Sequence, residues 1–302
     1  MTEKLHKYFA RSSKGDVVLD IVKWVVLALV LLVTLYPFWN VLIVSFNDAT
    51  DAVRGGIYWW PRKFSLASYT NILQNVEFLD SIKVTVARTL IGTPVSLFVT
   101  AALAYVMSRR DFYGGKTLTM IFIFTMYFGG GLVPFYMIIK ALGLINNFWV
   151  FIIPGALSVY NMILIRSYID TLPEDLFESA RLDGASDLTI FFKIVVPLSK
   201  PILMTVALFV AVGQWNSWFD AYLYTSSQSL KPMQAILVEI LNQYATGDAS
   251  KAAVKNATAA QAVTPDSIRM AATIVSSVPI IMVYPFVQKY FVKGMMLGAV
   301  KA

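Results

Sequence analysis

The chain has 302 residues, 57% of them hydrophobic and only 14% charged, with a mean hydropathy of +0.64. A water-soluble domain of this length has too little interior to bury that much apolar side chain, so lipid is the solvent for much of it and the class is all-α, polytopic membrane protein. The absence of cysteine and a single histidine, His6, exclude disulfides, thiolate metal sites and cysteine nucleophiles, and the net charge of +7 is spread along span edges rather than gathered on one basic, aromatic-interleaved face, which points to topology and not to nucleic acid.

The N-terminal run Met1 to Lys14 is polar. The apolar stretch behind it is too long for a signal-peptide core and lacks a small-residue cleavage site, so the first span is expected to remain in the mature protein. Six transmembrane helices are predicted, at about Ile21 to Val44, Ser81 to Met107, Leu118 to Ala141, Phe148 to Ile165, Leu198 to Trp218 and Met270 to Tyr290, each near the roughly 20 residues that cross about 30 Å of hydrocarbon. The chain reads as a single transmembrane domain, 1–302, without an internal repeat.

An even span count puts both termini on one side. Lys4, Lys7, Arg11 and Lys14, the Arg109, Arg110 and Lys116 loop, the Arg166 to Lys200 segment and the C-terminal lysines would share that side. The other side holds only Arg54, Arg62, Lys63, Lys231, Lys251 and Lys255. The positive-inside rule makes the first group cytoplasmic.

Four features along the spans bear on function. Tyr58-Trp59-Trp60-Pro61 reads as an interfacial aromatic anchor or a binding surface. Arg88, about two turns into the second span, needs a partner, a water-filled cavity or the outer interface, because an unpaired charge at mid-membrane costs roughly 2.5–3.5 kcal/mol; pairing is the default and contact with an anionic sugar the alternative. Gly129, Gly130 and Gly131 with Pro134 would kink the third span, or else allow close helix packing. Trp215, Asn216, Trp218 and Asp220, where the fifth span nears the outer surface, have the aromatic faces and hydroxyl-binding groups that sugars require, though an aromatic belt with a polar rim has the same composition. Tyr136, Tyr160 and Asn161 are further pathway candidates on the same logic. The outer segment of about 225–267 opens with an apolar-periodic stretch, Met233 to Ile240, and then turns polar, as a contact surface for an external partner or a solvent loop would.

Gly114-Gly115-Lys116-Thr117 mimics the end of a phosphate-binding loop, but Arg110 stands where the first glycine is required and no strand precedes it. The chain therefore supplies no ATP site of its own.

The segment of about 166–200 carries the most specific pattern. Leu172-Pro173-Glu174 would start a helix, Asp183-Gly184 would interrupt it, and Pro197 and Pro201 would mark the beginning of the fifth span. The product is a short helix, a sharp turn and a second helix. Glu178, Ala180, Asp183, Gly184, Ala185, Phe191, Ile194, Pro197 and Pro201 resemble the coupling loop of permease subunits of binding-protein-dependent ABC importers; Ser179 replaces the usual alanine. The resemblance narrows to the carbohydrate branch, similar to the maltose system's smaller permease and to oligosaccharide importers with a lipoprotein receptor. It is carried by Ala102 to Tyr105, Gly129 to Pro134, Gly143 to Ile145 and Gln214 to Phe219. Many sugar permeases have a proline soon after the Trp-Asn-x-Phe motif, whereas Asp220-Ala221-Tyr222 follows here.

That resemblance implies a type I ABC importer transmembrane architecture in the bacterial cytoplasmic membrane, both termini inside. It implies a second permease subunit, two ATPase subunits that use ATP and Mg, an extracytoplasmic solute-binding protein, and a sugar or oligosaccharide cargo. No cofactor would be bound by this chain, which would not itself be an enzyme. The coupling residues would be Glu178, Ala180, Asp183, Gly184, Ala185, Phe191 and Pro197. Phosphodiesters or polyamines are the alternative cargo. A secondary transporter would need intramembrane carboxylates for ion coupling, and the third and fourth spans have none.

Overall fold

The computed structural model describes residues 14–245 and 264–299. The expectations placed on His6, Lys4, Lys7, Arg11, Lys251, Lys255, Lys301 and the polar part of the outer segment lie outside these residues. Among the described residues the architecture is all-helical, with one isolated β-bridge between Asn47 and Phe64.

Contacts group the chain into two compact units, one of residues 1–72 with 251–274, the other of 73–250 with 275–302. The first unit contains α1 (Lys14–Ser45) and α2 (Ala67–Gln74). Helix α1 is apolar all round and exposed from Val18 to Leu35, the surface expected of a helix whose solvent is lipid. Its C-terminal end is capped by aromatic packing. Tyr36 meets Trp59 and Trp39 meets Trp60 edge to face, at 5.5 and 5.9 Å between centroids, while Asn40 donates to the Ile57 carbonyl. The Tyr58 to Pro61 run thus folds back on the end of a span, as an interfacial anchor does. Next to it, Asn47 and Arg62 both donate to Asp51, and these bonds hold the Asp51 carboxyl below its ordinary range, Asn47 first.

The second unit is organised on α3 (Val76–Ser108), which Asn75 caps by accepting from the Phe78 amide. Its buried face runs Phe78, Ser81, Thr85, Arg88, Gly92, Ser96, Thr100, Ala104, Met107. The spacing of three and four residues is that of one helix face, and the side chains are mostly small or hydroxylic. In a bilayer that is the face for neighbouring helices: lipid is as apolar as leucine, so association favours close backbone approach over apolar bulk. Against it pack α6 (Val159–Ile169) and α9 (Lys200–Asn216).

Two predicted spans are bent. The third consists of α4 (Gly115–Tyr127) and α5 (Leu132–Ala141), which turn by 114° at residues 128–131. The bend rests on Gly131, whose φ of +94° and ψ of 165° suit glycine alone. Pro134 sits in the opening turn of α5, where a missing N–H costs little. The segment α8 (Asp187–Leu198) likewise turns by 83° into α9 at Ser199.

The predicted fourth span, Phe148 to Ile165, is corrected. A single 3₁₀ turn, Phe148–Phe151, is followed by irregular chain through Pro154-Gly155, and α6 resumes only at Val159. Proline forbids the helical hydrogen bond and glycine weakens the helix beside it, so the run breaks in two. Among the described residues three helices are long and apolar enough to cross a membrane by themselves, Gly15–Ser45, Val76–Ser108 and Asp266–Val283, and up to five spans result if each bent pair is one.

The other helices of six residues or more among the described residues are α7 (Asp175–Leu182), α10 (Phe219–Tyr224), α11 (Met233–Ala245) and α12 (Pro265–Ala299). The predicted surface helix at Met233 is real but anchored. Met233, Ala235, Ile236 and Leu237 are buried, and the Met233 amide donates to Thr85 of α3 at 2.8 Å.

Candidate functional site

At one end of the second unit, α7 and α8 form a helix–turn–helix element. Helix α7 begins at Asp175, with Glu174 at its N-cap, where the Leu172-Pro173-Glu174 pattern predicts a helix start, and ends in a Schellman turn. The Ala185 amide donates to the Ala180 carbonyl and the Gly184 amide to the Arg181 carbonyl, both at 2.9 Å. Gly184 supplies the left-handed residue, at φ +78°. Ser186 then caps α8 by accepting from the Thr189 amide. Glu178, Asp183 and Gly184 lie on the exposed side and Ala180 and Ala185 on the half-buried side. Leu182 and Leu188 are 89% and 71% exposed, leaving an apolar ridge at the turn.

Behind the turn is a core of Ala101, Ala104, Tyr105, Met162, Ile165, Ile190, Phe191, Val195 and Val206, onto which Ala180 and Ala185 pack. Phe191 is its keystone, 5.6 Å from the Tyr105 ring and 6.4 Å from Phe98. From Phe191 the chain makes a π turn through Val195, with the Val196 amide bonded to the Phe191 carbonyl. Pro197, which has no amide proton to give to the preceding turn, immediately follows. Pro201 occupies the second position of α9.

Two consecutive arginines at the end of α3 hold the element at both ends. Arg110 pairs with Glu174, at the start of α7, at 2.7 Å. Arg109 pairs with Asp187, at the start of α8, and with Asp111 at 2.7 Å. It also donates to the Tyr105 hydroxyl at 3.1 Å. Hydrogen bonding to Asp111 pushes the Arg109 guanidinium still further above its ordinary range, and the bond from Arg109 holds the Asp111 carboxyl down to about 2. In the sequence Arg109 and Arg110 register only as topology charges; the acidic residues flanking Glu178, Glu174 and Asp187, are the available signal of their partners.

Toward the other end of α3, the Gln214 to Asp220 motif is gathered around Arg88. Arg88 is 1% exposed, and its guanidinium reaches Asp220 at 2.5 and 3.3 Å, Gln214 at 3.0 Å and the Ser217 carbonyl at 3.3 Å, over the Phe151 ring at 4.5 Å. The default reading of pairing holds: Arg88 is buried and its guanidinium is held by protein partners. Gln214 also donates to the Phe151 carbonyl, and Gly92 gives it room: a Cβ there would stand 2.9 Å from the Gln214 amide nitrogen.

The other pathway candidates fall in different places. Trp215 donates to the Ser276 carbonyl at 3.0 Å, Asn216 accepts from Gln234 at 3.3 Å, and Trp218 packs edge-on to Phe219 and Tyr222. Tyr136 stacks on Tyr224 of α10 at 5.9 Å. Tyr160 is exposed and Asn161 buried on α6, and among the described contacts neither touches the tryptophan group.

The chain is similar to characterised proteins over nearly its whole length. Residues 9–297 match the model of the binding-protein-dependent transport system inner membrane component family. The chain belongs to that family. It is therefore an inner-membrane permease subunit, a transport component without a cofactor, whose ATPase is a separate protein. Among relatives of this permease, the polygalacturonan/rhamnogalacturonan transport system permease protein YtcP of Bacillus subtilis (strain 168) is 38% identical, covering 89% of this chain and 93% of its own. Protein LplC of the same organism is 36% identical, covering 96% and 97%. The crystal structure of a bacterial ABC transporter involved in the import of the acidic polysaccharide alginate contains a chain that superposes with a TM-score of 0.84 at 30% identity, covering 93% of this permease and 99% of that chain. The permease thus has the all-helical, polytopic fold of ABC importers.

Proposed function

We propose that this permease moves oligosaccharides from an extracytoplasmic solute-binding protein into the cytoplasm, as one of two related permeases above a pair of ATPase subunits that bind ATP and Mg. The observation that carries the coupling half is the clamped α7–α8 element: an exposed apolar ridge on a rigid turn, fixed to α3 at both ends. Glu178, Asp183 and Gly184 form the surface an ATPase would grip, Ala180 and Ala185 seat the turn on the core behind it, and Phe191 and Pro197 carry its displacement into α9. Inverting a two-state equilibrium from 1:99 to 99:1 needs about 5.5 kcal/mol of differential binding, a sum that nucleotide and receptor contacts together supply.

The proposed topology is the six-span type I arrangement in one transmembrane domain, with both termini cytoplasmic. The broken Phe148 to Ile169 segment is counted as the span that length alone does not reveal. Support comes from contacts at the two ends of α3. Residues 109–119 meet 166–187 at one end through Arg109, Arg110 and Arg166, while Glu77 and Thr85 meet Gln228 and Met233 at the other.

For the cargo, the YtcP and alginate-importer likenesses favour a saccharide that includes acidic sugars. Trp215, Asn216 and Trp218, with Tyr136 beside α10, are proposed to line its path, and Tyr160 and Asn161 to face it from α6. Asp220 is reassigned from sugar contact to holding Arg88. The outer segment of about 225–267 is proposed to meet the solute-binding protein. Uptake of labelled pectic and neutral oligosaccharides into proteoliposomes holding the whole importer tests the cargo. Gly184→Asp in an assembled complex tests the coupling: ATP-driven uptake is expected to vanish, and full uptake would refute the role of the turn.

A further inference from the structure

Beside the clamp lies a cavity of about 630 Å³ between the end of α3, the start of α4, the end of α6 and α7. Its wall carries five cations, Arg109, Arg110, Lys116, Arg166 and Arg181, against three carboxylates, Asp111, Asp170 and Glu174. Arg109, Arg110 and Arg166 have acidic partners. Lys116 has no acidic partner among the described residues, and Arg181 has only a through-space attraction to Asp111, a carboxylate already bonded to Arg109, so cations outnumber carboxylates around this space. The floor is apolar, with Met107, Phe112, Ile169 and Phe177.

From the cavity mouth runs α4, none of whose residues is buried and whose Met120, Ile121 and Phe124 are openly exposed apolar side chains. Gly114 leaves the first turn of this helix without a side-chain cap, which places partial positive charge beside Lys116. A cationic chamber with an apolar floor, at the foot of an apolar helix surface, matches an amphiphile with an anionic head.

We propose that this cavity binds the phosphate of an acidic phospholipid, with Lys116 and Arg181 as its charge partners and the acyl chains lying along α4. The assignment rests on the reading that this end faces the cytoplasmic leaflet, but not on the identity of the cargo. Because Arg181 belongs to α7 and Lys116 to α4, a headgroup held between them ties the coupling helix to the membrane surface.

The test uses the purified importer complex in detergent, exchanged against equal mixtures of phosphatidylglycerol and phosphatidylcholine, with retained lipid counted by mass spectrometry. Wild type is expected to retain phosphatidylglycerol preferentially, and each of Lys116→Gln and Arg181→Gln to lower that preference about fivefold, the value of one cation at an anionic surface. The double charge-keeping variant Lys116→Arg with Arg181→Lys is expected to retain it, which separates charge from folding. Equal retention of the two lipids, or an unchanged preference in Lys116→Gln with Arg181→Gln, overturns the proposal. Displacement of the retained lipid by millimolar inorganic phosphate overturns the lipid assignment in favour of a free anion. Lipid retention is read without transport, so it stands or falls separately from sugar import.

Discussion

The Arg88 guanidinium and the Asp220 carboxylate meet at 2.5 Å across the break between α9 and α10, with the arginine almost fully buried. Removing one member strands the other, and breaking a buried pair typically costs about 3–5 kcal/mol. Arg88→Gln is therefore expected to lower the thermal unfolding midpoint of the complex strongly and to reduce uptake of acidic and neutral oligosaccharides in the same proportion. Selective loss of acidic cargo would mean that Arg88 meets substrate after all. Asp220→Asn keeps hydrogen bonds to Arg88 and is expected to do less damage.

Gly92→Ala tests the other side of the same network. The added methyl would sit 2.9 Å from the Gln214 amide nitrogen and 3.0 Å from its amide carbon, so the carboxamide must leave Arg88 and the Phe151 carbonyl. A destabilisation of about 1–3 kcal/mol, the range for overpacking, is expected. The double variant Gly92→Ala with Gln214→Ala should recover part of it in a thermal melt.

The bend of the third span gives a sharper contrast. Gly131→Ala forces a side chain into a backbone conformation reserved for glycine and is expected to cost about 1–3 kcal/mol. Gly129 and Gly130 have ordinary backbone angles and open space around the missing Cβ, so alanine at either should leave expression and uptake near wild type. Equal sensitivity at all three would show that the bend does not rest on Gly131.

The Arg109–Asp111 pair beside the clamp has an acid limit. Asp111 falls from an ordinary 3.8 to about 2 through its bond from Arg109. A folded-state value below the unfolded one stabilises fully above about 3.8 and fades as the pH falls toward about 2. Because Asp111 is 62% exposed its share is small: Asp111→Asn is expected to lower the thermal midpoint only slightly at pH 7 and to flatten its fall below about pH 4.

The helix–turn–helix of α7 and α8 is readable because its determinants are local: Gly184 permits the left-handed turn, and Pro197 and Pro201 bracket the bend. The kink at Gly131 was legible for the same reason. What sequence order hid was contact between distant residues, including Arg110 with Glu174, Arg109 with Asp187 and Arg88 with Gln214 and Asp220. Hydropathy likewise hid the break within Phe148 to Ile165, where apolar composition continues through a proline and glycine that the backbone does not carry as helix. The outer helix α11 was anticipated, but its burial was not, because the hydroxyl of Thr85 that anchors it lies 148 positions earlier.

Arg109 and Arg110 are neighbours in the chain yet fasten opposite ends of the same element. A crank needs two bearings on one shaft, and here the shaft is the terminus of α3. A load on the Leu182 turn would therefore bear on the chain that leaves α3, the same helix that carries Arg88 some twenty residues earlier.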